Sequence, residues 1–589
     1  MSTPKKKIYD GKQWKALRLQ VLQDEPVCHW CKKAPATEAD HLIELDRGGD
    51  AYDRANLVGS CRPCNATRGN RYRQAKEAGK ARAGVARAVQ QAVPAFLDVE
   101  VPRPRAPRGV SPQDSPELGG SGTDQDYRRL SGRNEPRLVS PVVGATGTRG
   151  ADLAQWAKGV AGVELMAWQR QVLDDMLSVK ADGMVFREAL VSTARQQGKS
   201  VALRMLAGWW ITAEALRRGS PQKALLVSNK LDRTMPMFRE LAELLEVKLG
   251  AKVRWANGSA GITMPDGSTL GMAAAKDNHH GGTYDLILVD EVWDIAPSVI
   301  NDALRPSMIA RPNPLLAMWS TAGDQSSALM LGLREKAITA LDDGRATNLY
   351  FAEWSPPAGV DPDDRQWWTW ANPALGTTVT WDALEAAADG GDRAAFLRAH
   401  LNLWITSAQS WLPIGAWEKQ QTDEPMPAGG VLAIDTSMDE SRYVGVRAMS
   451  TEHGVQACVE FIVDSEAACW REVDRVLEDT TVQLRVTPGL DLHTPPALRR
   501  RAETRGYREL LLHTPIVRAM ITEGRVWHNG QRILAEHVTR AVAVKSQNSI
   551  AIASSKSPGP VELCRCLIWA AADASKPRAA GKPAFAASR

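Results

Sequence analysis

The sequence predicts an α/β chain of several domains, and three observations carry that prediction. An apolar, strand-like run from Val185 to Val191 passes through a polar turn, Gly198-Lys199-Ser200, into the helix-like segment VALRMLAGWWITAEAL. A second apolar run, DLILVDEVWD, ends in Asp290-Glu291. Far upstream, Cys28/Cys31 and Cys61/Cys64 form two C-x-x-C pairs, the mark of a small segment stapled on its own. Strand–loop–helix order with further buried strands calls for a parallel sheet with its ligand at the strand ends.

At 589 residues the chain has room for about three or four domains. Hydrophobic content of 44% and charged content of 24% are those of an ordinary globular protein, so sizeable cores are expected. No apolar run approaches the ~20 residues that span a bilayer, which predicts no membrane partner. Lys5-Lys6-Lys7 has no apolar run after it, so it does not read as a secretory signal, and the cysteines read as metal ligands before disulfides. The net charge of +5 conceals an asymmetry: residues 1–110 carry 21 Lys+Arg against 12 Asp+Glu, so the basic end is where a polyanion is expected.

Taken in order, the first element is the segment from Trp14 to Arg71. Its four cysteines are spaced to close a tetrahedral structural Zn²⁺ site, which lets about sixty residues fold around a small core. Between the knuckles lie Asp40-His41 and Asn56, and Asn65 follows the second knuckle. This pattern resembles the HNH endonucleases, whose ββα-metal core sets a divalent ion against the scissile phosphate. The resemblance implies His41 as general base, Asp40 as metal ligand and Asn56 as the residue that orients His41. Asn65 stands where the family's last histidine ligand is expected, a weaker ligand for a hard cation. The competing reading is a zinc-stapled DNA-binding module without catalysis. Residues 76–150, first Ala/Arg/Lys-rich and then Pro/Gly/Ser-rich, read as a basic flexible linker.

The phosphate-binding loop has a chemistry of its own. Backbone N–H groups cradle phosphate oxygens, Lys199 reaches the β- and γ-phosphates and the Ser200 hydroxyl holds Mg²⁺. Gln197 and Gly198 complete the loop, although Thr193 stands where its first glycine belongs. Asp290 is placed to hold Mg²⁺ through water and Glu291 to polarise the attacking water. Trp168-Gln169 open a helix before the loop, and the pair suits stacking on and pairing with adenine; a core Trp beside a surface Gln is the equal alternative. KALLVSN reads as a buried parallel strand, ITMPDGSTLGMAA as a hairpin turned at Asp266-Gly267, and PLLAMWSTAG as a strand ending in Ser320-Thr321. That hydroxyl pair suits sensing of the γ-phosphate.

Taken together, PRLVSPVVGATGTRG, LMAWQ, TARQQGKS, LILVDEVWD, WSTAG and AFLRAHLNLWITSAQSWLP resemble the large terminase subunit of tailed phages over roughly residues 136–575. The resemblance implies a P-loop NTPase with a parallel sheet, Arg195 addressing the γ-phosphate, and an RNase H-like α/β nuclease domain. In that nuclease Asp435, Asp491 and Glu562 are expected to hold two Mg²⁺ or Mn²⁺ ions. His528 reads as structural, and Cys458, Cys469, Cys564 and Cys566 as buried thiols. The expected divisions are 1–75 (HNH-like zinc domain), 76–150 (linker), 151–420 (ATPase), 421–575 (nuclease) and 576–589 (disordered tail).

The resemblance further implies ATP, Mg²⁺ and Zn²⁺ as cofactors. As partners it implies double-stranded DNA, a phage portal on the procapsid, a small terminase subunit and copies of the chain in a ring. The site of action would be the host cytoplasm. Two rivals stand beside it: an ATP-dependent restriction- or helicase-type nuclease, and a DNA-docking adaptor whose degenerate nuclease sites do not cut.

Overall fold

A computed structural model describes residues 9, 11–45, 48–92, 126–255, 260–275, 282–324, 326–404, 411–413, 415–546, 549–557 and 559–576. The chain forms two compact units, one of Met1–Ala88 with Pro265–Gly267, the other of Val89–Met264 with Ser268–Arg589. No described helix is long and apolar enough to cross a membrane.

The first unit has a helix, α1 (Lys12–Asp24), an antiparallel pair, β1 (Glu38–His41) and β2 (Leu57–Ser60), and the long helix α2 (Arg62–Ala92). Among the described residues its hydrophobic cluster is small, buried Trp14, Val21 and Leu57 with partly buried Leu17, Ala39 and Tyr52 against them, so a staple is called for. The four cysteines supply one: their sulfurs lie within 4.8 Å of one another, near the roughly 3.8 Å separation that tetrahedral Zn–S bonds impose.

The second unit is built on two sheets. The larger has nine strands: β3 (Leu138–Val139), β4 (Glu188–Ser192), β5 (Lys223–Ser228), β6 (Lys252–Arg254), β7 (Gly261–Thr263), β8 (Thr269–Ala274), β9 (Leu286–Asp290), β10 (Leu315–Ser320) and β11 (Leu349–Glu353). Their spatial order is β3-β11-β4-β10-β9-β5-β8-β7-β6. The six from β11 to β8 run parallel. β9 and β10 are buried at every residue, as strands covered on both faces must be. Register places Ser192 beside Ser320, and Asp290 between Ser228 and Trp319, so polar side chains gather at one edge of an apolar sheet. Ahead of β4 lies α3 (Ala167–Met176), and α4 (Lys199–Trp209) and α5 (Leu231–Leu249) follow β4 and β5. The hairpin β7/β8 turns at Asp266-Gly267 as expected, with Gly267 at φ +93°. Two further helices, α6 (Ala328–Asp342) and α7 (Arg393–Leu401), precede the second sheet in the chain.

The smaller sheet has six strands: β12 (Gly430–Thr436), β13 (Tyr443–Thr451), β14 (Gly454–Val463), β15 (Val482–Val486), β16 (Ala502–Thr504) and β17 (Val526–His528). Its order is β16-β15-β12-β13-β14-β17. A helix over Glu466–Val476 packs on β13 and β14, and the helices that follow are α8 (Pro488–Leu492), α9 (Tyr507–Thr522), α10 (Arg532–Thr539) and α11 (Glu562–Ala574). α11 lies against β12 and β13, and all but one residue from Glu562 to Asp573 is buried, the exception being Arg565. One hydrophobic cluster runs from the large sheet, through Leu190, Ile287 and Met318, into the small one, through Val431, Val444 and Leu567. The two sheets therefore share a core.

One organisational expectation changes. The linker expected over 76–150 is ordered at both ends: α2 continues to Ala92, and β3 pairs with β11 inside the large sheet. Residues 93–125 lie outside the described residues, as do the tail from 577 and residues 405–410 of AFLRAHLNLWITSAQSWLP. His528 is structural: it is buried, stacked on Trp417 at 4.2 Å, with Nε2 on the Trp417 carbonyl.

Candidate functional site

The nucleotide cradle forms where β4 ends. After Ser192 the chain turns through Thr193–Gly198, and α4 begins at Lys199. The left-handed conformations this turn needs fall at Gln196 (φ 62°) and Gly198 (φ 89°), not at Thr193. That explains why the loop tolerates threonine where a glycine was expected. Thr193 is instead buried, with Oγ1 donating to the Ala371 carbonyl and its N–H to that of Ser320. A Cβ on Gly198 would meet the Gln169 amide at 2.8 Å, so this glycine is required on two counts.

Lys199 is buried, and Nζ donates to the carbonyls of Thr193 and Ala194 at 3.1 and 2.8 Å. Burial lowers its ammonium, opposed by the charges of Glu291 and Asp290. The ammonium thus lies inside the loop that would wrap a phosphate. Arg195 and Ser200 are exposed at the same loop. Asp290 is buried at the end of β9, and burial followed by the neighbouring Glu291 raises its carboxyl to about 6. Glu291 takes φ 57°, and its carboxylate receives a hydrogen bond from Thr321 Oγ1 at 3.3 Å. Ser320 Oγ accepts from the Trp293 N–H. The hydroxyl pair of β10 is thereby tied to the acidic strand end at Glu291 and just beyond it. These residues fit Mg²⁺–ATP: Lys199 for the phosphates, Ser200 and Asp290 for the cation, Glu291 for water.

Two expected nucleotide contacts are placed otherwise. Gln169 is buried and its amide bridges the Met166 N–H and the Gly198 carbonyl, so it braces the loop from α3. Trp168 is fully buried against Trp319 and Trp354, a core residue. Gln197 likewise spends its amide within the protein, on Arg195 O, Asn372 Oδ1 and the Ala374 N–H.

The sequence reading missed two buried asparagines. Asn402, at φ 55° just past α7, bonds Ser192, the Ala322 N–H and the Trp354 carbonyl. It clasps the ends of β4, β10 and β11 together. Asn372 receives Gln197 and donates to the carbonyls of Trp368 and His400. The only signal for either was an asparagine between apolar residues, in HLNLW and ANPAL.

In the first unit, His41 ends β1, buried and stacked on Trp14 with ring centroids 5.4 Å apart, and its Nε2 has no hydrogen-bond partner among the described residues. An unpartnered buried imidazole nitrogen is the state a general base needs before its substrate arrives. Asp40 Oδ2 receives Trp30 Nε1 at 2.9 Å and an ion pair from Arg68 of α2. Asn56 does not reach the imidazole: its amide is committed to Ile43 N–H and O and to the Asp50 carbonyl, which holds the loop after His41. Asn65 donates to Glu38 at 2.7 Å, so the ligand role expected of it meets a competing partner. The thiols suit zinc. Burial opposes it, but backbone N–H groups of Cys31, Cys61 and Trp30 lower Cys28 to about 5, whereas the neighbouring Cys61 sulfur pushes Cys64 up to about 12. A bound cation would relieve that competition among four sulfurs.

The third expected centre differs from its prediction. Asp435 does lie near the end of β12, but Asp491 is exposed on the short helix α8. Among the described residues the cysteine cluster is the one group of three or more candidate ligands close enough to share an ion; Asp435 and Glu562 interact by charge but form no such group with Asp491. Instead Asp435 Oδ2 receives Arg565 Nε and Nη2 at 2.7 and 2.5 Å, and Glu562 receives Arg442 at 2.9 Å. The register of β12 on β15, Ile434 beside Val486, sets Thr487 next along at the level of Asp435. Burial, countered by Arg565, raises Asp435 to about 6. Cys564 and Cys566 are buried thiols as expected, both pushed up by burial.

Residues 344–450 match the family model described as terminase large subunit, endonuclease domain, and residues 27–71 match that of the HNH endonuclease. No curated protein matches the chain. Among solved structures, the HK97 bacteriophage large terminase is 15% identical, covers 72% of this chain and 99% of its own, and has a TM-score of 0.40. The large terminase of a thermophilic bacteriophage is 12% identical over 68% of this chain and 97% of its own, with a TM-score of 0.30. The Thermus phage P74-26 large terminase ATPase domain is 14% identical over 37% and 89%, with a TM-score of 0.25. By these matches, residues 27–71 are similar to an HNH endonuclease and residues 344–450 to the endonuclease domain of a terminase large subunit.

Proposed function

We propose that the chain is the large subunit of a phage DNA-packaging terminase. In this reading it hydrolyses ATP to drive double-stranded DNA into a procapsid and cuts concatemeric DNA by metal-dependent endonucleolysis. The observation that carries it is the cradle at the end of β4, where buried Lys199 faces Asp290 and Glu291, and Glu291 is tied to Thr321. A change at the phosphate reaches the end of β10 directly through that bond, as coupling of hydrolysis to movement requires. Arg195 is exposed at the loop, where it can meet a γ-phosphate.

The matched segments favour DNA as the substrate that moves and is cut. For cutting, His41 fits the general base, Asp40 the carboxylate that holds a divalent ion, and Cys28, Cys31, Cys61 and Cys64 a structural zinc. The working partners would be DNA, a portal, a small subunit and further copies in a ring, in the host cytoplasm. The test is DNA-stimulated ATP hydrolysis by the full chain, followed by packaging with portal-bearing procapsids. Hydrolysis that DNA does not stimulate, or no packaging with an active ATPase, ends this reading in favour of a nuclease that acts without a capsid.

A further inference from the structure

We infer that the acidic centre of the smaller sheet is a latch closed by the chain's own arginines rather than a two-metal nuclease site, and that DNA cutting falls to the His41 module. The second half rests on the function proposed above; the first stands on geometry alone.

A two-metal site needs carboxylates that share ions about 3.5–4 Å apart. Here both oxygens of Asp435 are already engaged, Oδ2 by Arg565 and Oδ1 by the Thr436 N–H at 2.9 Å. Arg565 is equally committed, since its remaining nitrogen, Nη1, donates to Ser554 Oγ at 2.9 Å. Glu562 takes Arg442, and Arg442 also pairs with Glu335 of α6. Glu335 in turn receives Arg540 Nη1 at 2.8 Å. Three carboxylates therefore face three guanidinium groups, all largely buried.

Guanidinium keeps its proton at any working pH, so the arginines do not vacate these positions by losing charge. A divalent ion at Asp435 would have to expel Arg565, largely buried with all three nitrogens engaged, and leave it unpaired. The remaining position is no help. Thr487, level with Asp435, offers a hydroxyl buried without a partner, and Asp491 lies outside the group. His41 presents the opposite case, a buried ring nitrogen with no partner among the described residues.

Two readouts on the full chain test this. The first is nicking of supercoiled plasmid under Mn²⁺. Asp435→Asn and Glu562→Gln should cut within about twofold of wild type, whereas His41→Ala should lose about 100-fold or more. The second is the rise in Tm on adding Mn²⁺ without nucleotide, which should be the same in wild type, Asp435→Asn and Glu562→Gln. Loss of cutting in Asp435→Asn with His41→Ala active overturns the assignment of cutting. A Mn²⁺-induced rise that disappears in both carboxylate variants overturns the latch. If the wild type never nicks, the proposed endonuclease fails, and with it the His41 assignment, while the Tm readout still decides the latch. Glu562→Gln leaves Asp435 with its own arginine, so it decides the matter if Asp435→Asn does not fold.

Discussion

Two buried strands of this chain carry an aspartate at their ends, β9 Asp290 and β12 Asp435, and burial raises both carboxyls to about 6. Their surroundings then part. No ion pair joins Asp290 among the described residues; its neighbours are a second carboxylate, Glu291, and a lysine held by loop carbonyls. Asp435 is paired with Arg565 through two nitrogens. The first arrangement leaves charge that a cation and a phosphate can settle, so it is poised for a ligand. The second has settled its own charge. An apolar run ending in an acid is one sequence pattern with two outcomes, and the groups arriving from elsewhere in the chain decide between them.

The comparison breaks most openly if the poised site proves idle. Lys199→Ala should lower ATP turnover by about 10³-fold or more, because the buried charge on the transferred phosphate is gone. Glu291→Gln should still bind ATP while turning it over far more slowly. Steady-state hydrolysis and nucleotide-binding measurements check both.

At the closed site the corresponding break is Arg565→Met, which leaves Asp435 buried and unpaired. Stability should fall by about 3–4 kcal/mol in chemical denaturation, toward the low end for a broken buried pair because Arg565 is partly exposed. A change below about 1 kcal/mol would mean that the arginine is no latch.

Acid sharpens the contrast. Asp290 has a folded value of about 6 against an ordinary 3.8. As pH falls from about 7 to about 5, the folded state takes up a proton that the unfolded chain does not. Folding should therefore gain about 1.3 kcal/mol from this group between pH 7 and pH 5, approach about 3 kcal/mol only below about pH 3.8, and lose the gain as pH rises through about 6. Function should move the other way, with Mg²⁺–ATP hydrolysis falling below about pH 6 as the cation's carboxylate is neutralised. In Asp290→Asn the acid-side gain in Tm should shrink by that group's share.

The smallest expected effect is at the clasp of strand ends. Asn402→Ala should cost about 1–3 kcal/mol by leaving Ser192, Ala322 and Trp354 without their shared partner. It should also slow hydrolysis with little change in ATP binding, since no atom of Asn402 is expected to touch nucleotide.

What the sequence made legible was local. Lys199 and Asp290 stand inside short motifs whose strand, turn and helix are contiguous, and the four cysteines carry their spacing in plain view. Gln169 stayed open between two readings because a glutamine beside the loop looks the same whether it meets a base or the Gly198 carbonyl. Asn402 and Ser192 are 210 residues apart, and Arg565 and Asp435 are 130 apart. Nothing in either neighbourhood announces such partners. Arg565 is the partner the sequence does not announce, since an acid after a strand looks the same whether the fold returns a metal ion or a guanidinium to it.

The shared core also bears on how this molecule can be taken apart. Arg334 of α6 is buried between Glu353, at the end of β11, and Glu536 of α10. Burial alone would raise both acids, yet Arg334 holds them down, Glu536 at about 2. A fragment cut near residue 420 would part Arg334 from Glu536 and expose the apolar face that carries Val431 and Leu567. Dissection into separate motor and nuclease pieces would thus yield two wounded halves, and inactivity in either would report the incision rather than the chemistry.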